Sequence, residues 1–137
     1  MDYTQQLIKS YSYWDLVLNK FQSQFIGMCF AWSLRKEANN LIDMNLEERG
    51  ELFSLIIPEW DKAVRELFNH DRSNLAIVGN EMPHLHVHLI PRYFSHRYFY
   101  GREFIDPNPK GLFYPLDRTE LPSELQFQIR DDIKSKL

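Results

Sequence analysis

Three of the chain's five histidines stand at His84, His86 and His88, with Leu85 and Val87 between them and Leu89 after. On a strand, successive side chains alternate faces, so this spacing points three imidazoles one way and Leu85, Val87 and Leu89 the other. Histidine is the side chain whose proton exchanges near neutral pH, and its neutral ring serves as nucleophile, base or metal ligand. Three readings of the row compete. It is a satisfied polar face of a solvated sheet; or it offers imidazoles to a metal ion, a site that residues two apart begin but do not complete; or one ring nitrogen attacks phosphorus while its neighbours handle protons and charge. Cysteine adds no ligand nearby and no acidic residue follows in the strand. Three histidines in register therefore favour nucleophilic catalysis, with no metal and no other cofactor required.

Such a row needs a sheet with one face in a core and the other lining a cleft. The runs Tyr13 to Leu18 and Phe25 to Trp32 are rich in aromatic and branched residues and read as strands of a hairpin or meander. Asn45 followed by Glu48 is a capping-box pattern. Beyond it, Leu46, Phe53, Ile56, Ile57, Trp60, Val64, Leu67 and Phe68 recur at helical spacing, and Pro58 should kink that helix or split it. Leu75 to Val78 reads as a strand, Gly79 to Pro83 as a tight turn, and Leu85 to Ile90 as the strand that carries the histidines. Asp106 to Pro122 holds four of the seven prolines and should be irregular; Leu125, Ile129, Ile133 and Leu137 then mark a C-terminal amphipathic helix. The whole predicts an α+β fold, one domain over residues 1–137, with an antiparallel sheet packed against a long helix and a C-terminal helix.

Composition narrows the partners. Hydrophobic residues make up 44% and charged residues 26% of the 137, enough for a buried core. The formal net charge of -3 argues against nucleic acid held on a broad basic face. No apolar run approaches the length of a membrane span, and MDYTQQLIKSYSYWD lacks the pattern of a secretory signal. The lone Cys29 sits in an apolar run and reads as a buried thiol, in keeping with a cytoplasmic location. Arg92, Arg97 and Arg102 with His96 offer local positive charge for a small anion, or ordinary surface charge. Tyr93, Phe94, Tyr98, Phe99, Tyr100 and Phe104 read as packing rings rather than a base platform.

The string GNEMPHLHVHLIPRY, Gly79 to Tyr93, resembles the signature of the histidine-triad (HIT) superfamily of nucleotide hydrolases and transferases. Looser similarity spans most of the chain. It includes Leu18-Asn19 at a strand end, Gly27, the run from Asp43 to Glu48 that leads into the long helix, GREF at Gly101 to Phe104, and Tyr114-Pro115. The nearest likeness is to small bacterial HIT-like proteins. The resemblance implies that His86 attacks the α-phosphorus to give a nucleotidyl-histidine, which water then releases as a nucleoside monophosphate. It implies that His88 contacts the phosphate or protonates the leaving group, and that His84 orders the site by hydrogen bonding. Asn80 becomes a phosphate contact, although Gly-Asn is also ordinary turn chemistry. Asn19 becomes a ribose contact, or the cap of a strand end. Arg92 is grouped with these substrate-side residues, though better suited to orient the strand end or a carboxylate than to catalyse. The implied substrate is a dinucleoside polyphosphate or a nucleoside phosphoramidate, and the implied assembly a homodimer. A nucleotidyltransferase, or a nucleotide-binding module without catalysis, is the alternative. Many relatives carry a fourth histidine in a Pro-basic-basic-His segment, where this chain reads Ser33-Leu34-Arg35-Lys36-Glu37-Ala38. That departure bears on proton relay and substrate preference.

Overall fold

Alternating apolar residues near the N-terminus build a meander in the computed structural model, which describes Met1–Leu137. Strands β1 (Leu7–Ser10), β2 (Trp14–Leu18) and β3 (Cys29–Ser33) pair antiparallel in sequence order. Strand β1 has only Leu7 and Ile8 as apolar residues, too few to stand out in the sequence. The expected strand from Phe25 begins instead at Cys29, because Gly27, at φ 97°, turns the chain there and Met28 N–H donates to the Phe25 carbonyl. The turn lies tight against the long helix: a Cβ at Gly27 would stand 2.8 Å from a Val64 methyl.

The helix starts as its capping box dictates. Asn45 accepts from the Glu48 N–H at 2.9 Å and Glu48 Oε1 accepts from the Asn45 N–H at 3.0 Å. Helix α1 (Leu46–Glu51) runs through a wider π-helical turn, Leu52–Ile56, into α2 (Ile57–Phe68). Pro58 sits in the first turn of α2, just past the wide turn, where the α-helical ladder is already interrupted and its missing N–H costs little. The expected split is thus a change of helical register, with the helix itself continuous. Glu48, Leu52, Ile56, Trp60, Val64 and Phe68 all face inward at spacing four. Such a seam drifts around an ordinary α-helix, and the wider turn takes up part of the drift. Leu46 and Phe53, expected in the apolar stripe, are exposed.

Strands β4 (Arg72–Ala76) and β5 (His86–Arg92) complete a sheet of order β1-β2-β3-β5-β4, antiparallel throughout. Strand β4 starts and stops earlier than Leu75 to Val78, so the expected tight turn becomes a longer connection over residues 77–85. A hairpin, β6 (Arg97–Phe99) and β7 (Arg102–Phe104), turns through Tyr100 and Gly101, both at positive φ. Residues 106–122 are irregular as expected, and α3 (Ser123–Ser135) closes the chain with Ile129 and Ile133 buried. The helices cover one face of the sheet. There Trp14, Leu16, Ala31, Val87 and Leu89 join Leu52, Trp60 and Val64 in the main core. On the other face a smaller cluster, Phe25, Met28 and Ile90, is roofed by Phe113 and Leu116 from the irregular segment. No helix is long and apolar enough to cross a membrane.

Candidate active site

Strand pairing sets the site. Strand β5 lies between β3 and β4, with His86 opposite Trp32 and His88 opposite Phe30. Cross-strand partners share a face, so both histidines stand beside the two rings on the open side of the sheet. Leu85, Val87 and Leu89 point into the helix-covered core, as the alternation requires. His84 lies just before β5. Its backbone neighbour Leu85 is pinned by Leu85 N–H to the Ala38 carbonyl, and Ser33 N–H donates to the Leu85 carbonyl.

Hydrogen bonds assign the ring protons. His86 Nδ1 is 2.6 Å from the His84 carbonyl, and His84 Nε2 is 2.7 Å from the Ser33 carbonyl. A carbonyl only accepts, so each of these nitrogens carries hydrogen. The remaining nitrogen of a neutral His86, Nε2, then keeps its lone pair. Trp32 stacks flat on His84, with ring centres 4.1 Å apart, and lies 5.4 Å from His86. His88 stands edge-on to His86 at 5.0 Å and faces Phe113 at 6.2 Å. Burial, with a smaller push from His86, lowers its pKa to about 4, so its ring is neutral at pH 7.

Two cavities meet at these rings. One, of about 240 Å³, is walled by Tyr3, Val17, Phe30 and Trp32, with Asn19 and Lys20 at its polar side. Tyr3 arrives on the N-terminal arm and is fastened by its hydroxyl, which donates to Asp15 Oδ2 at 2.6 Å. The other cavity, about 660 Å³, lies under the connection 77–85 and the segment 106–122, with Asn80, Met82, Phe113, Tyr114 and Arg118 in its walls. His86, His88 and Asn19 line both. The arrangement gives a basic ring nitrogen between an aromatic pocket and a wider, more polar one.

Of the residues singled out in the sequence, His84, His86, His88, Asn19 and Asn80 come together here. Asn19 Oδ1 accepts from the Phe21 N–H at 2.8 Å, which leaves its amide N–H₂ free to donate. Arg92 does not reach the cleft. All five of its donors are engaged by Asp106, Asn74, Asn108 and Gly111, its side chain is buried, and nothing remains for a substrate. Arg97 is likewise held by Asp71 and Asn69, and His96 pairs with Glu103 on the β6–β7 hairpin; neither lines the two cavities. Tyr93, Phe99 and Phe104 pack, as expected of that aromatic stretch, whereas Phe94 and Tyr98 are exposed. Cys29 is fully buried, and burial pushes its thiol pKa up.

The segment without a fourth histidine has another use. Ser33 supplies the carbonyl that holds His84, while its hydroxyl donates to Glu48 Oε2 at 2.8 Å. Arg35 Nη2 donates to Glu48 Oε1 at 2.7 Å. Burial would raise the Glu48 pKa, but Arg35, Asn45 and Ser33 together outweigh it and hold the carboxyl below its ordinary range. Sequence reasoning missed Trp32, Phe30, Tyr3, Phe113 and Arg118. Phe30 and Trp32 alternate in FIGMCFAW, but their register with the histidines is a tertiary fact.

Residues 33–95 match the HIT domain family. Among solved structures the chain is similar to a histidine triad protein from Sinorhizobium meliloti 1021, at 16% identity over 96% of this chain and 88% of that one, with a TM-score of 0.73. It is similar to a histidine triad protein from Marinobacter aquaeolei VT8, at 20% identity over 96% and 87%, with a TM-score of 0.70. It also resembles the diadenosine triphosphate hydrolase of Plasmodium falciparum, at 17% identity over 98% and 77%, with a TM-score of 0.63. At these identities the likeness establishes the fold.

Proposed function

For a chain whose residues 33–95 match the HIT domain family and whose fold is that of histidine triad proteins, we propose a nucleotide hydrolase that cleaves the α-phosphate linkage of a dinucleoside polyphosphate or a nucleoside phosphoramidate. One observation carries the reading. His86 Nδ1 is committed to the His84 carbonyl, which leaves Nε2 as the basic nitrogen of a ring that lines both cavities. In the proposed reaction Nε2 attacks the α-phosphorus, the bond from phosphorus to the leaving group breaks, and a nucleotidyl-His86 intermediate forms. The Nδ1–H bond stabilises the positive charge that the ring acquires. Water then attacks the same phosphorus, the N–P bond breaks, and a nucleoside monophosphate departs.

The pocket of Phe30, Trp32 and Tyr3 takes the base, Asn19 the ribose, and Asn80 a phosphate oxygen; His88 donates to the phosphate or the leaving group, and His84 holds His86 through its carbonyl. We take the working unit to be a cytoplasmic homodimer. The sheet ends on one side in β4, which leaves backbone groups there for pairing, and sedimentation at twice the chain mass is the expected measurement.

Intact mass after brief mixing with diadenosine triphosphate or adenosine phosphoramidate, quenched without acid, tests the chemistry. Wild type should gain the mass of an adenylyl group and turn substrate over, and His86→Ala should do neither. Adenylate appearing on an added acceptor instead of as free AMP would make the enzyme a transferase. Nucleotide binding with neither adduct nor turnover, in folded protein, would make it a binding module.

A further inference from the structure

Two loops face each other across the wider cavity. Glu81 belongs to the connection before β5 and Arg118 to the segment before α3; both line the cavity, and Arg118 Nη2 donates to Glu81 Oε2 at 3.0 Å. The two side chains are 60% and 79% exposed, for Arg118 and Glu81 respectively. A pair so open to water is held weakly, and its cation is free to exchange one carboxylate for a stronger anion. Arg118 is also the only arginine or lysine in that cavity's wall.

The backbone beneath Arg118 is held, even though its ion pair is loose. Asp117, next to it, accepts from the Thr119 N–H at 2.9 Å and from the Ser23 hydroxyl at 3.2 Å, and its own N–H donates to Gln24 Oε1 at 2.9 Å. Earlier in the segment Arg92 grips the Asn108 and Gly111 carbonyls. The fold thus stations one cation beside the half of the cleft opposite the aromatic pocket, with an occupant that is easily displaced.

Building on the hydrolase reading above, we propose that Arg118 is the specificity-determining residue for the leaving group: it releases Glu81 to bind the phosphates of a departing nucleoside polyphosphate, and so favours dinucleoside polyphosphates over phosphoramidates. The charge balance explains the preference. As the bond from Nε2 to phosphorus forms and the P–O bond breaks, the electron pair stays on the departing oxygen, which joins phosphates already negative. A guanidinium binds such oxygens in pairs. In a phosphoramidate the P–N bond breaks with the electron pair on nitrogen, which takes a proton from water, so the leaving amine offers Arg118 no anion. Glu81 acts as the internal competitor.

The test compares kcat/KM for diadenosine triphosphate and adenosine phosphoramidate in wild type, Arg118→Ala, Arg118→Lys and Glu81→Gln. Arg118 is exposed, so its replacement leaves the fold intact. The expected result is a fall of about tenfold in the polyphosphate-to-phosphoramidate ratio for Arg118→Ala, the scale of one lost charged hydrogen bond. Partial recovery in Arg118→Lys and a raised ratio in Glu81→Gln are expected alongside. An unchanged ratio in Arg118→Ala, or equal losses on both substrates, would overturn the assignment. Calorimetric affinities for ATP and AMP are measured in parallel, because they report on Arg118 even in a chain that turns nothing over. If Arg118→Ala leaves the ATP-to-AMP affinity ratio as in wild type, Arg118 does not read phosphates. Absence of turnover alone counts against the hydrolase reading instead.

Discussion

The histidines of this site differ in what surrounds them more than in what they are. His86 is oriented by a carbonyl, His84 by a carbonyl and a stacked indole, and His88 by burial beside Phe113. For His88 the consequence is thermodynamic. Its pKa falls from the ordinary 6.5 to about 4 in the folded chain, so below pH 6.5 the unfolded chain takes a proton that the native state refuses. Stability is fully present above pH 6.5 and falls as the pH drops to 4, by up to about 3 kcal/mol from this residue. Buried His70 is shifted in the same direction and adds to the slope. Urea unfolding across that pH range should show the loss, and His88→Gln should flatten it, leaving the share of His70. An unchanged slope in that variant would mean that His88 is not the buried base described.

At the scale of elements, two local signals make measurable contributions. The capping box at Asn45 holds the N-terminus of α1, and Asn45→Ala should cost about 1 kcal/mol in denaturant unfolding. The larger effect is expected at Gly27. A Cβ there meets Val64, and φ 97° is a conformation that other residues avoid, so Gly27→Ala should destabilise by about 1–3 kcal/mol. A variant as stable as wild type would show that the turn and helix can part without strain. The cap was visible in the sequence because it depends on residues three apart. The closeness of Gly27 to α2 was not, since it joins residues far apart in the chain. For the same reason the start of β3 was misplaced: hydrophobicity continues through Phe25 and Ile26, but the backbone turns.

For the whole molecule, Arg92 matters most. The arginine that follows the triad, grouped with the substrate side but better suited to orient the strand end or a carboxylate, pairs with Asp106 and ties β5 to the segment 106–122, which roofs the wider cavity with Phe113, Tyr114 and Arg118. Asp106→Ala would leave this guanidinium buried without its carboxylate partner, at a cost of about 3–5 kcal/mol. Loss of the roof should also raise KM for a nucleotide substrate more than it lowers kcat. Unfolding and steady-state kinetics on the same preparation check both. A KM that stays put would detach Arg92 from the site.

By itself the sequence determined the alternation of the triad, the apolar face behind it, the capped helix, the irregular proline-rich segment and the C-terminal helix. Each depends on a period of two or four residues or on a local turn preference, and such short-range rules act before the chain folds. Only the tertiary structure decided that Trp32 and Phe30 stand beside the histidines, that His84 is oriented by the Ser33 carbonyl, and that Arg118 rather than Arg92 faces the cleft. Those outcomes come from strand register and from a segment folded back across the sheet. Both are set by packing and hydrogen bonding between residues distant in the chain, and no local pattern encodes them.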